Sequence, residues 1–343
     1  MSRAFITGLA GPNLTLEERA FLRVAAPFGL ILFRRNIEAP DQVRRLVAEA
    51  RAALGQQAPV LVDQEGGRVQ RLGPPHWPVY PPGAAYGHLY DQDPAAGLRA
   101  ARLGGRLIAA DLLPLGIDVD CLPLGDVPVA GANAVIGDRA YGETPAKVAA
   151  IAGAIADGLM EGGVLPVLKH LPGHGRPTVD SHADLPVVAA DRATLEATDF
   201  AAFRPLGRLP FGMTAHVVFT SLDPGAPATT SPIMIGQVIR DSIGFSGALM
   251  SDDISMGALS GTLGARTHAA LGAGCDLVLH CNGNPDEMRA VAEAAMELAG
   301  AAARRTDAAL AARRPPAELD AAAARAEFAA LMAPHAKVGT VVA

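Results

Sequence analysis

Val164-Leu165-Pro166-Val167-Leu168 is an apolar run that ends abruptly in Lys169-His170. Unbroken hydrophobicity of this length marks a strand buried on both faces of a parallel sheet, because a half-exposed strand alternates. The same texture recurs at 4–9, 29–33, 59–62, 117–122, 211–215, 248–250 and 276–279, which makes eight runs. Helix-forming stretches separate them. Thr15 with Glu18 reads as a capping box, Pro40 stands at a first-turn position, and further helices are expected after Asp191 and over 143–159. Strands alternating with helices predict an α/β fold, a (β/α)8 TIM-type barrel, as a single catalytic domain over 1–343. Residues from about 298 to 343, rich in Ala and Arg, are expected to form a C-terminal helical tail. A doubly wound sheet is the rival fold, but no G-x-G-x-x-G follows the first run and no P-loop occurs. The proline-rich stretch 73–82 reads as a loop after the third strand.

Composition bounds the function. Of 343 residues, 50% are hydrophobic and 19% charged, enough apolar material for a large core and too much for a disordered chain. A net charge of −6 argues against a protein that neutralises phosphates, and 4% aromatics leave little for stacking bases, so no nucleic-acid partner is expected. No run of about twenty apolar residues spans a membrane, and the first nine residues make a weak signal peptide. Three cysteines, Cys121, Cys275 and Cys281, show neither C-x-x-C spacing nor a disulfide framework, which points to a reducing compartment. The cytoplasm is the expected location.

Barrel chemistry is done at the C-terminal ends of strands, and here those ends are polar. Asp63-Gln64-Glu65 follows the third run, Asp126 the fourth, Lys169-His170 the fifth, His216 the sixth, Ser251-Asp252-Asp253 the seventh, and His280 with Asn282 the eighth. The densest segment runs from Lys169 to His182, with Gly173 and Gly175 making it a loop. Asp180 and His182 are two apart, so in extended chain their side chains share a side, and a carboxylate there orients the imidazole and stabilises its cation. Such a pair can give and recover a proton near neutrality. A solvated turn is the plainer account of the same spacing. A metal reading drafts His170, His174 and His182, or His170, His216 and Asp252, as ligands. Against it, the first run lacks an H-x-H pair, and the glycines break any helical ligand face.

Leu32-Phe33-Arg34-Arg35-Asn36, Asp63-Gln64-Glu65-Gly66-Gly67-Arg68, Ile136-Gly137-Asp138-Arg139, Lys169-His170-Leu171-Pro172-Gly173-His174-Gly175, Asp180-Ser181-His182, Met213-Thr214-Ala215-His216 and Ser251-Asp252-Asp253 occur in this order. Together they resemble the β-N-acetylhexosaminidases of glycoside hydrolase family 3, the single-domain bacterial enzymes of cell-wall recycling. The resemblance covers the chain from near residue 4 to about 284. It implies a retaining exo-β-N-acetylglucosaminidase with Asp252 as nucleophile, His182 as general acid/base and Asp180 as its partner. It implies binding of the N-acetylglucosamine unit by Asp63, Arg71, Arg139, Lys169 and His170. The implied substrate is N-acetylglucosaminyl-1,6-anhydro-N-acetylmuramic acid, with or without its stem peptide, and no metal or organic cofactor is called for. Oligomeric state stays open.

Neighbouring residues carry their own expectations. Asp253 should point away from Asp252 and be structural. Asp126 and Asp138 are expected to pair with Arg139 or Arg71. His174 should shape the loop, and His216 should line the site or orient Asp252. Glu65 is not the acid in this motif, and Cys121 and Cys275 should pack as small hydrophobes. Leu171 replaces the usual phenylalanine. Arg176 is an added cation expected to alter leaving-group preference. Three other readings remain: a phosphorylase that passes the glycosyl group to phosphate, a metal-dependent barrel hydrolase, and a sugar-binding protein without turnover.

Overall fold

The computed structural model describes residues 2–181 and 184–335. The eight apolar runs form strands β1 (Arg3–Gly8), β2 (Pro27–Leu32), β3 (Val60–Val62), β4 (Val119–Asp120), β5 (Leu165–Leu171), β6 (Phe211–Thr214), β7 (Ala248–Asp253) and β8 (Leu277–His280). Each pairs in parallel with its neighbours in sequence, and β8 closes on β1 through Phe5–Val278, Ile6–Leu279 and Thr7–His280. The result is the (β/α)8 barrel that the alternation predicts. Two small ribbons decorate it: Gln64–Gly66 folds back antiparallel on Val69–Gln70, and Val187–Val188 runs parallel to Val218–Phe219.

Strand parity sorts the core into two shells. Ile6, Ile31, Leu61, Val119, Cys121, Leu165, Val167, Phe211, Met213, Met250, Leu277 and Leu279 fill the barrel interior. Their neighbours Phe5, Leu30, Val60, Leu168, Leu249 and Val278 face outward, in one cluster with Leu46, Leu107, Ile151 and Val238 of the surrounding helices. Both faces are apolar, so the runs do not alternate.

Helices follow each strand, among them Leu16–Ala25, Pro40–Leu54, Pro94–Leu112, Pro145–Glu161, Met234–Ser242, Leu263–Ala273 and Pro285–Ala294. The capping box is formed: Glu18 N–H donates to Thr15 Oγ1, and the Glu18 carboxylate accepts from the N–H groups of Thr15 and Ala10. Asp191 caps Arg192–Ala197 by accepting from Thr194 N–H. Residues 73–82 carry no strand.

Two later helices brace the barrel. Ala309 of Gly300–Ala311 joins the interior cluster, which at the N-terminal ends of the strands includes Phe28, Leu165 and Leu277. Arg305 of the same helix holds the buried Asp276 at 2.6 Å, and Arg240 holds it at 2.9 Å. Helix Ala321–Met332 lies on Pro94–Leu112, tied by Arg99–Glu327 and Arg325–Asp111, and its Phe328 meets the rings of Tyr80 and Tyr86 in the segment that precedes Pro94–Leu112. The base of the barrel is therefore sealed, and the opposite end is left for chemistry. Ala309→Glu places an unpaired charge in that seal and should lower the unfolding free energy by about 3 kcal/mol or more in urea titrations. A loss below about 1 kcal/mol would show that the helix does not close the base.

Candidate active site

Period-two geometry extends the interior rows past the core. The next inward position after Leu61 is Asp63, after Val167 it is Lys169, and after Met250 it is Asp252. Lys169, 2% exposed, sits between two carboxylates, with Nζ 3.0 Å from Asp63 Oδ1 and 2.6 Å from Glu65 Oε1. Arg71 donates to Asp63 Oδ2 at 2.9 Å. Arg139 grips Glu65 with a two-pronged contact, Nε to Oε2 and Nη2 to Oε1, each 2.8 Å. The Gln64–Gln70 ribbon makes this possible, because it turns the chain back so that Glu65 and Arg71 come to one wall. Gly66 and Gly67, at φ 95° and 55°, supply the left-handed turn.

These contacts set the charges. Burial pulls the Lys169 ammonium down, but Asp63 and Glu65 overcome it and leave its pKa above the ordinary lysine value. Burial raises the carboxyl of Asp63, yet Lys169 and Arg71 bring it well below the usual carboxylate range. Glu65 behaves alike, pulled by Lys169 and Arg139 down to about 2. A group ionised that firmly is unsuited to donate a proton near neutrality.

A second network lies beside the first. The buried Asp126 accepts from His170 Nδ1 at 2.7 Å and from the His174 N–H at 2.7 Å, and the two imidazoles meet edge to face. Asp126 therefore pairs with a histidine and Asp138 with Arg68 at 3.0 Å; neither forms the expected pair with Arg139 or Arg71. Sequence distance concealed both, since a carboxylate 44 residues before His170 carries no local signature.

Asp252 stands half-buried at the mouth. Burial would raise its pKa, but the fields of His170, His216 and Lys169, with the Asp253 N–H on its Oδ1 at 2.8 Å, bring it below the ordinary value. The carboxylate is thus anionic, and among the described residues no salt bridge locks it. Asp253 turns elsewhere, accepting from Ser255 N–H and hydroxyl and from Cys281 N–H, as strand parity requires. His216 Nε2 lies 3.0 Å from the Asp253 carbonyl, which can only accept, so the proton is on Nε2; Nδ1 faces Thr229 Oγ1 at 2.7 Å. His216 fixes the backbone where β7 leaves the barrel, and burial lowers its pKa.

Some expected site residues are elsewhere. His280 and Asn282 both turn to Glu287 at the start of Pro285–Ala294, because His280 has outward parity. Arg176 bonds Asp199 at 2.6 Å and Thr198 at 2.7 Å, so its charge is spent on the following helix and does not reach toward a leaving group. Cys121 and Cys275 are buried, as expected. His182 lies outside the described residues. Asp180 is described, and its carbonyl accepts from Asp184 N–H at 3.0 Å. Among the described residues no three His, Cys, Asp or Glu side chains gather as a metal site; His170 and His216 already have the partners given above.

Residues 12–311 match the model described as "Glycosyl hydrolase family 3 N terminal domain". The chain belongs to glycosyl hydrolase family 3. Family membership is supported by a beta-hexosaminidase of Alkalilimnicola ehrlichii, 41% identical over 288 residues, with 83% of this chain and 82% of that one covered. One from Methylococcus capsulatus is also 41% identical, covering 83% and 84%. A solved NagZ of Neisseria gonorrhoeae in complex with N-trifluoroacetyl-D-glucosamine superposes with a TM-score of 0.85 at 33% identity, covering 99% of this chain and 98% of that one. The protein is accordingly a glycoside hydrolase, a family 3 β-N-acetylhexosaminidase of NagZ type.

The Lys169 network yields a stability prediction. Asp63 and Glu65 have depressed folded pKa values, so their contribution is complete above the ordinary carboxylate range and is lost as pH falls; for Glu65 the window runs from 4.5 to about 2. Lys169→Met should cost about 3–5 kcal/mol at pH 7, since it leaves buried charge uncompensated. It should also flatten the fall in stability below pH 4.5, measured by urea unfolding at several pH values. An unchanged acid slope would place the source of the depression elsewhere.

Proposed function

We propose that this protein is a retaining exo-β-N-acetylglucosaminidase that removes terminal N-acetylglucosamine from peptidoglycan fragments. Its substrate in this reading is N-acetylglucosaminyl-1,6-anhydro-N-acetylmuramic acid, with or without a stem peptide, met in the cytoplasm during cell-wall recycling. The observation that carries it is the ionised Asp252 carboxylate, which no salt bridge among the described residues locks, set beside a wall of Asp63, Lys169 and Arg71. A nucleophile must be anionic and free to move onto carbon, and sugar hydroxyls need a fixed acceptor beside fixed donors. Asp63 is that acceptor. Lys169, Arg71, Arg139 and His170 supply the donors and the remaining contacts.

In the first step Asp252 attacks the anomeric carbon while His182 gives its proton to the departing oxygen. A glycosyl-Asp252 ester forms and the aglycone leaves as an alcohol. In the second step His182, oriented by Asp180, takes a proton from water, and the resulting attack returns Asp252 to its carboxylate. Two displacements give net retention, and both balance without a metal or cofactor. Support for a reducing location comes from Cys121, Cys275 and Cys281, all free thiols. No helix among the described residues is long and apolar enough to cross a membrane.

Turnover of an aryl N-acetyl-β-glucosaminide should give the β-anomer first by NMR, with the glucoside far slower. Phosphate in the buffer should produce no sugar 1-phosphate; its appearance would turn the reading to a phosphorylase. Asp252→Ala should abolish turnover, and a fluorinated sugar that traps the intermediate should label Asp252, whereas a label on Asp253 or Glu65 would displace Asp252 from its role. His182→Ala should lose about 10²–10⁴ on a disaccharide and much less in the first step on an activated aryl substrate. Wild-type behaviour on both would remove His182 from the mechanism.

A further inference from the structure

The loop that leaves β5 is rooted on three sides. His174 N–H is bound by Asp126, Gly175 carbonyl by Val129 N–H at 3.2 Å, and Pro177 carbonyl by Asn133 N–H at 2.7 Å. Arg176 adds its contact to Asp199. A side chain on Gly175 would collide with the Val127 carbonyl, so this root admits no slack. Past Pro177 the chain emerges, with Thr178 and Val179 exposed and Asp184 exposed further on. Ser181 breaks that pattern, being 3% exposed.

Two bonds explain the burial. Ser181 Oγ lies 3.1 Å from His174 Nε2, and the Ser181 carbonyl accepts from Ala258 N–H at 3.2 Å. His174 belongs to the loop's own root, while Ala258 lies on the chain leaving β7, six positions beyond Asp252. One small residue thus joins the far arm of the loop to its base and to the exit of the nucleophile's strand. Thr178, Val179 and Asp184 are exposed and Asp180 is half-buried, yet the hydroxyl and carbonyl of Ser181 are both satisfied by elements that border the mouth.

We propose that His174 and Ser181 are positioning residues, a catch that fixes the height of the loop arm above Asp252. This rests on the functional reading above, since Ser181 stands in the chain between Asp180 and His182, which that reading makes the proton-transfer pair. The catch acts on proton transfer and leaves the nucleophile alone. Asp126 ties it to the sugar site, because one carboxylate holds both His170 and the His174 backbone. Burial supports the assignment by keeping the His174 imidazole neutral, its pKa pulled down to about 4, so the contact with Ser181 is an uncharged one throughout the working range.

Ser181→Ala removes the hydroxyl and leaves the carbonyl in place, so folding should be intact while the bond from Ala258 N–H opens more often. On an activated aryl N-acetylglucosaminide its kcat should fall about tenfold, because release of the sugar needs the base, while kcat/KM stays within about twofold, because the first step needs no acid. On an unactivated disaccharide kcat/KM should fall about tenfold. His174→Leu should copy this split, and His174→Gln, which keeps a donor near the Nε2 position, should restore most of the loss. Hydrogen exchange of the Ala258 amide should quicken in Ser181→Ala. Equal losses of kcat/KM on both substrates, no loss on either, or an unaltered Ala258 amide would each overturn the catch. A wild-type enzyme that releases no N-acetylglucosamine from either substrate would sink the functional reading and this role with it.

Discussion

A single buried ammonium organises the mouth of this barrel. Asp63 and Glu65 leave the end of β3, and Lys169 comes from β5, so the ion triplet reaches across the short β4 between them. Two carboxylates desolvated side by side would repel and protonate; with Lys169 between them and Arg71 and Arg139 behind, both stay ionised. Three cations thus face two anions in this network. The Lys169 ammonium, after His170, His216 and the Asp253 N–H, is part of what holds Asp252 in its anionic form. The residues that bind sugar in our reading and the residue that attacks it are thus coupled by electrostatics, although they make no salt bridge.

Much of this was legible in the sequence because strand parity is a strict rule. Once eight apolar runs are recognised, counting two past the last interior residue reaches Asp63, Lys169 and Asp252. The same count sends Asp253 and His280 outward, and it explains why His280 lies against Glu287 although it ends a strand like the others. Local signals also served, as with Thr15 and Glu18, whose partners are three residues apart. The family resemblance supplied the roles that parity alone does not assign.

What escaped was pairing between distant segments. Asp126 and His170, Arg68 and Asp138, and Arg176 and Asp199 each meet only after the barrel closes, and no spacing foretells them. Arg176 shows the cost of reading charge without topology: an added cation in an active-site loop suggests contact with substrate, but the neighbouring helix start offers a buried carboxylate nearer by. The tail is similar. Alanine-rich sequence foretells helix, whereas the entry of Ala309 into the barrel's interior cluster depends on where that helix lands.

The turned-back ribbon after β3 has a wider meaning. Glu65, Arg68 and Arg71 all ride on a short antiparallel excursion, Gln64–Gly66 with Val69–Gln70, outside the barrel's own hydrogen-bond ladder. Asp252, by contrast, is part of that ladder's last turn. The wall that meets sugar in our reading is therefore carried largely by one cassette of loop that can be exchanged while the strand bearing Asp252 is inherited intact, a modular arrangement that offers protein engineers a graft site.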